Sequence, residues 1–547
     1  MKSKHADGAV VFCCVAFFAL VPLLCAQDAI APQHNGVTQD WSDRQIVFSL
    51  DGLERHPEML YREPRILHQA MQRWQVPDFG TFQSADPLSD TVSKPESGSD
   101  WSVAALGGRL LLNSFPAKFS FNPGATPSCT GDYVVFGLNT AGVTGGAANL
   151  VAFNNLYAGT GGLCGSAPTV VFAYNTTTHT GGKVVTSPVI SEDGTKIAFV
   201  ESASAPSAST IFHVLTWTAG NGVIGNAAAP AAMTSLTLSS TTDDTASAPW
   251  VDYAGDAAYV GSDNGLIYKI TGVFHGTPAL AGSPWPITVS ANLHLTPPVL
   301  DSHLGMLMVG SANGNLYRIN TATGALATLI VGSGSSAGIV APPIVDVTNG
   351  TTFVVDSNDG TSGVLVEVAT ATMLQVAKAR IGEAAASGTA IHLYQPAFSN
   401  AYYTKPSTGV IRVCGTGTAD TTPWQYAFGF GGTGGTTMQT TASFSQQLLT
   451  TAAVQCTGWT EFYNPNVNGG TDFFFFGLTS ACTATGAAGG CVAEITGSNT
   501  TPVTTTVDGG PSGIVIDNYS TAAQASSIYL TALSVNTAYK FTQNGLH

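Results

Sequence analysis

TPPVLDSHLGMLMVGSANGNLYRINTATGAL, residues 296–326, decides how the rest of the chain is read. A small residue and prolines (Thr296, Pro297, Pro298) open a short apolar run at Val299-Leu300. A turn follows, then a second apolar run, MLMVGS (306–311), a glycine turn, and a third, GNLYRINTATG (314–324). Runs of four to eight apolar residues bounded by Gly, Asn, Asp and Pro read as strands. The same succession returns along the chain. Its openers include Ser187-Pro188-Val189-Ile190, Ala248-Pro249-Trp250-Val251, Ala341-Pro342-Pro343-Ile344 and Gln395-Pro396-Ala397-Phe398. Second strands follow at KIAFVES (196–202), AAYVGS (257–262), TFVVDS (352–357) and AYYTKPS (401–407), and third strands at GLIYKITG (265–272), GVLVEVATAT (363–372) and GVIRVCGTG (409–417).

Three strands joined by tight turns and a looser fourth make one blade of a β-propeller. A lone twisted sheet with two apolar faces cannot bury either, and stacking blades around an axis covers both. The expected fold is therefore all-β: about eight four-stranded blades, with seven as the alternative. Openers near 127, 188, 249, 298, 343, 396, 450 and 511 mark the eight. The last copy, GIVIDN (513–518), SSIYLTAL (526–533) and TAYKFTQ (537–543), is one strand short. An N-terminal strand such as WSVAAL or AKFSF, within 101–121, would complete it and close the ring.

Residues 27–100 break the pattern. Five of the chain's nine arginines fall here (Arg44, Arg55, Arg62, Arg65, Arg73), and Leu60, Ile66, Leu67, Met71 and Trp74 recur at helical spacing. The expectation is a short N-terminal extension with one amphipathic helix packed outside the propeller, followed by a polar linker at 84–100. Residues 1–26 read as a signal peptide: Lys2 and Lys4, an apolar stretch from Ala9 to Leu24, and Ala26 as cleavage residue. Acylation at Cys25 is the lipoprotein alternative. The domain plan is thus 1–26, 27–100 and 101–547, exported to the periplasm or outside the cell, with no transmembrane segment in the mature chain.

The chain has 547 residues, 10% charged, with a net charge of −15. An acidic, lysine-poor surface argues against nucleic acid as partner. Six cysteines lie beyond the signal: Cys129, Cys164, Cys414, Cys456, Cys482 and Cys491. An even number in an exported chain points to disulfides, with fifteen pairings open. Local spacing favours Cys129–Cys164, Cys414–Cys456 and Cys482–Cys491.

SPVISEDGTKIAFVES (187–202) resembles the Tol-system propeller repeat, with Glu192 where that repeat usually has proline. GSANGNLYRINTATGAL (310–326) resembles the repeat of pyrroloquinoline quinone-type propellers. The layout also looks like a group of uncharacterised exported bacterial propellers. The resemblance covers about four blades and implies the fold; both repeat types occur in enzymes and in scaffolds. A quinone enzyme of this type implies a vicinal disulfide, and the adjacent Cys13 and Cys14 lie in the signal.

Catalytic candidates are sparse. There is no GxSxG elbow and no HExxH motif. Asp243-Asp244 sits in a Thr/Ser loop, and His213, His294 and His392 lie in or near strands. Asp356, Asn358 and Asp359, before Gly360, alternate oxygen donors as a short calcium loop does; the same residues suit a hairpin turn. No other cofactor is expected. Trp250, Trp285, Trp424, Trp459 and Tyr463 read as wedges between blades, or as a sugar-stacking surface. The expected function is non-catalytic: a binding or scaffold module for a protein or a cell-surface glycan on one propeller face, formed partly by loops 139–148, 220–247 and 431–443. The alternative is an enzyme on the same fold, a quinone-dependent dehydrogenase or a glycan hydrolase or lyase.

Overall fold

The computed structural model describes residues 38–39, 45–62, 64–74, 98–104, 106–124, 126–202, 210–238, 245–333, 338–382, 391–417, 421–465, 467–482, 489–497, 501–517 and 524–543. Residues 1–26, expected to be a signal peptide, the linker up to residue 97 and Asp243-Asp244 lie outside them.

Eight antiparallel sheets follow one another around a channel. Blade 4 shows the pattern: Val299–Asp301 innermost, then Met306–Gly310, Asn315–Asn320 and Leu326–Ile330. Pro297 and Pro298 precede the innermost strand, which has a free edge toward the channel and tolerates a residue without an N–H. Next come two buried strands. The outer strand alternates exposed and half-buried, since only one face meets a neighbour. The hairpin between the second and third strands needs Gly314 at φ +79°, where an added Cβ would strike the backbone of Gly332.

The innermost strands of blades 1 to 8 begin at Ala117, Val189, Trp250, Val299, Ile344, Ala397, Thr460 and Val515. The spacing predicted two of them wrongly. The opener near 127 falls in a hairpin of blade 1, whose true opener is Phe115-Pro116; the one near 450 precedes an innermost strand that begins only at Thr460. In blade 6, 401–407 is not a strand. Asn400–Thr404 is helical, Pro406–Thr408 is a 3-10 turn, and the second strand is Val410–Thr416. Ring closure uses Gly98–Val103, which pairs with Ala538–Thr542 and completes blade 8. This strand crosses the boundary drawn at 101.

The N-terminal extension does not pack outside. Ile46–Phe48 runs parallel to Ala117–Ser120 on its channel side, and Thr38–Gln39 pairs with Val345 and Asp346 on the channel edge of blade 5. Short helices follow at Leu50–Arg55 and Met59–Arg62, then Pro64–Trp74. On that last helix Arg65 donates to the Ile516 carbonyl at 2.9 Å and lies over the Phe462 ring, in blades 8 and 7. His68 meets the Tyr403 ring of blade 6, and the Arg73 guanidinium lies 4.4 Å from the Tyr253 ring centroid in blade 3. Blades 3 and 7 face each other across an eightfold ring, so the helix crosses the channel axis. Ile66 and Ala70 are fully buried, and so, nearly, are Arg65, His68, Gln69 and Arg73. A helix that crosses a channel meets the ring on several sides, which is why these polar side chains are buried too.

The cysteines pair as local spacing favoured: Cys129–Cys164, Cys414–Cys456 and Cys482–Cys491. Such cross-links persist in an oxidising environment. No described helix is long and apolar enough to cross a membrane.

Candidate binding cavity at the open end of the channel

Since all innermost strands run the same way, first-to-second strand turns gather at one end of the channel and second-to-third turns at the other. The N-terminal segment fills the first end. Val-x-Asp or its variants close several innermost strands there. Leu304 N–H donates to Asp301, and Thr348 and Asn349 N–H donate to Asp346, whose second oxygen accepts from the Tyr402 hydroxyl at 2.5 Å. These aspartates shape the turns. Their recurrence in blades 3, 4, 5 and 8 was visible in the sequence and is absent from the motifs read there.

Where blade 8 meets blade 1, Lys118 is fully buried. Its ammonium lies 2.7 Å from Asp517 and 3.7 Å from Asp132, and donates to Ser120 and Tyr157. The Tyr157 hydroxyl contacts both carboxylates, at 2.5 and 2.9 Å. Burial raises the Asp517 pKa, Lys118 opposes that, and Asp132 adds to it. The site is structural: it is enclosed and holds the first and last blades together.

A second buried network joins blades 1 and 2. Glu201 accepts from Thr178 N–H and hydroxyl and from His179 N–H, and lies 2.9 Å from His213, whose other ring nitrogen is 2.9 Å from the Ser235 hydroxyl. Burial opposes ionisation of Glu201, but these donors outweigh it and hold its pKa below the ordinary value. The donors at Thr178 and His179 staple the connection between the blades. His213 is thus a packed core histidine.

The open end holds a cavity of about 530 Å³. Residues 111–115 wall one side. Along this segment Asn113 bonds Gln395 and Gly458, Ser114 accepts from Gly513 N–H, and the Ser114 hydroxyl donates to Val185. Phe115, Val185, Leu295, Ile339 and Pro342 make the wall largely apolar. Among the described lining residues the one carboxylate is Asp263, 2.9 Å from His294. His392 lines the opposite region with Tyr394, and burial lowers its pKa, so it is neutral at pH 7. The Thr186 hydroxyl is buried without a hydrogen-bond partner among the described residues.

The calcium candidates lie on a hairpin at the same end. Asp356 accepts from Asn358 N–H, Asn358 from Gly360 N–H, and Asp359 from Thr361 and Ser362 N–H. Lys378 pairs with Asp359 at 2.8 Å. Burial raises the Asp356 carboxyl to about 6. Burial also opposes ionisation of Asp359, but Lys378 and the amides prevail and hold it at about 2. The oxygens thus serve as turn acceptors, and no cluster of three metal-ligating acids, histidines or cysteines occurs among the described residues.

Trp250 and Trp459 are buried wedges, and Trp285 is nearly so; Trp424 and Tyr463 are half-buried. The loops expected to share a face do not. Residues 139–148 lie at the open end, whereas 220–228 run along the outer strand of blade 1, bridging Phe172 and Tyr174, and 431–443 follow the third strand of blade 6 at the sealed end.

No family model matches the chain, and no curated protein does. Solved structures similar to it include Raptor of Chaetomium thermophilum, at 9% identity over 64% of this chain and 26% of that one, TM-score 0.38. Sqt1 of Chaetomium thermophilum gives 11% identity over 83% and 99%, TM-score 0.49. A chain of a mitotic checkpoint complex gives 10% over 74% and 95%, TM-score 0.37. The chain thus spans about a quarter of the Raptor chain it matches. At these values the likenesses carry no argument, and the eight-bladed assignment rests on the sheets themselves.

Proposed function

We propose that the chain is an exported, non-catalytic binding module that meets a protein or glycan partner at the cavity-bearing end. One observation carries this reading: the chain seals its own channel from behind and leaves a cavity of ligand size open in front. The described lining supplies one carboxylate–histidine pair, Lys183, His392, two asparagines and otherwise apolar and hydroxyl-bearing side chains, a composition suited to recognition. Export is supported by the three disulfides.

Ala312 lies half-buried on the cavity rim. Tagged native protein, recovered from the exported fraction of its host, is expected to carry a stoichiometric protein or glycan that Ala312→Trp loses while remaining folded. Capture unaffected by Ala312→Trp would remove the cavity-bearing end as the site. A bound redox cofactor without a macromolecule would overturn the non-catalytic reading.

A further inference from the structure

We infer that Lys118 and Asp517 condense with each other into an amide, with Asp132 as proton relay, so that a covalent bond joins the first and last blades of the ring. The inference concerns the seam and is independent of the reading given for the cavity.

Placement comes first. Lys118 stands on the innermost strand of blade 1 and Asp517 at the end of the innermost strand of blade 8, and the two strands are neighbours across the closure. The Lys118 Nζ lies 2.7 Å from Asp517 Oδ2, so the amine and the carboxyl are held as reactants in contact. Groups fixed in this way react as though at very high concentration. Neither can turn away to water, because Lys118, Asp132, Asp517 and Tyr157 are all fully buried.

Charge comes next. One ammonium needs one carboxylate, and the seam supplies two. Asp132 Oδ2 lies 3.7 Å from Nζ and accepts from the Tyr157 hydroxyl at 2.5 Å. The same hydroxyl is 2.9 Å from Asp517 Oδ2. The second carboxylate is thus linked to the amine on one side and, through Tyr157, to the oxygen that must leave on the other. Asp517 Oδ1 has no hydrogen-bond partner among the described residues and stays behind as the amide carbonyl. Burial raises the Asp517 pKa, toward the neutral acid that an amine attacks. Enclosing an ion pair is costly, and a neutral amide removes both charges.

The step balances within these side chains. Asp132 takes one proton from the ammonium. The Nζ lone pair attacks Asp517 Cγ, the N–C bond forms, and the bond from Cγ to Oδ2 breaks. Oδ2 leaves as water with two of the three ammonium protons, one of them returned from Asp132 by way of Tyr157. The third stays on the amide nitrogen. Nothing is oxidised or reduced, and no co-reactant enters.

The test is a tryptic digest of the mature protein from the exported fraction of its host, reduced and denatured, read by mass spectrometry. The peptides that hold Lys118 and Asp517 are expected as one species, lighter by one water than their sum, with no cleavage at Lys118. The reduced chain should also run ahead of Lys118→Met on a denaturing gel, because a looped chain is more compact. Asp132→Asn keeps the Lys118–Asp517 pair and should yield separate peptides; Tyr157→Phe keeps the ring and should leave linked and unlinked chains together. Separate peptides of unmodified mass in the native protein overturn the inference, whatever the variants do. Full linkage in both Asp132→Asn and Tyr157→Phe overturns the relay.

Discussion

The two ends of the channel are built from the same eight innermost strands, yet they solve opposite problems. At the sealed end Ile46, Phe48, Leu53, Met59 and Ile66 of the N-terminal segment form an apolar cluster of their own, and Arg65 and Arg73 are buried on aromatic faces of the ring. Lys118, Asp132 and Asp517 are enclosed and paired there, whereas the buried Arg73 guanidinium has an aromatic face and no hydrogen-bond partner among the described residues. At the open end no such segment fills the channel, and a cavity of about 530 Å³ with largely apolar walls remains. The contrast teaches that one end is finished by the chain itself, whereas the other is left for something else to complete.

Substitutions can break this contrast or sharpen it. The largest effect is expected at the sealed end: Lys118→Met leaves two buried carboxylates facing each other and should cost roughly 3–5 kcal/mol in urea unfolding. Phe48→Ala empties a fully buried ring position under the plug and should cost about 3–4 kcal/mol. If that segment becomes protease-sensitive while the ring's own transition stays put, plug and ring are separate cooperative units; one common shift would make them a single unit. At the open end, Cys482→Ser with Cys491→Ser opens a link of sequence separation 9 and should cost roughly 2–3 kcal/mol in the same assay.

The smallest effect has the opposite sign. Asp356 is fully buried with a carboxyl raised to about 6, above its unfolded value of 3.8. The folded state therefore holds this proton more tightly than the unfolded one. The associated stability is present below the unfolded pKa and is lost as pH rises through 6. Asp356→Asn should gain roughly 1–2 kcal/mol at pH 8 relative to the native chain and flatten the melting-temperature profile between pH 4 and 6. A variant less stable at pH 8 would show that the ionised carboxylate is needed there.

What could be read in the sequence follows from repetition. Openers such as Thr296-Pro297 and third strands such as 314–324 recur because each blade buries the same two faces, so the ring and most of its blades were legible. The blade 6 segment at 401–407 misled because Tyr402 and Tyr403 have strand-like composition, while their rings pack into the ring's core from a short helix. Helix Pro64–Trp74 misled for another reason. Periodicity tells which face is apolar, not what lies opposite, and carbonyls at Ile46 and Ile516 accept the polar side chains that a surface helix would show to water. The cavity was illegible because its walls come from connections half a ring apart, and Lys183 and Tyr394 carry no shared motif.

Helix Pro64–Trp74 meets partners that come late in the chain: Arg65 and the Ile516 carbonyl are 451 residues apart, and Asp100 and Lys540, in the closing strand pair, 440. During synthesis the plug and the closing strand emerge first, with almost nothing to bind. Both must wait, loosely held, until blades 7 and 8 exist. Contacts so distant in sequence form slowly. Sealing the channel and shutting the ring thus belong to the last act of folding, and a chain cut short before blade 8 would keep both its edge strand and its plug exposed.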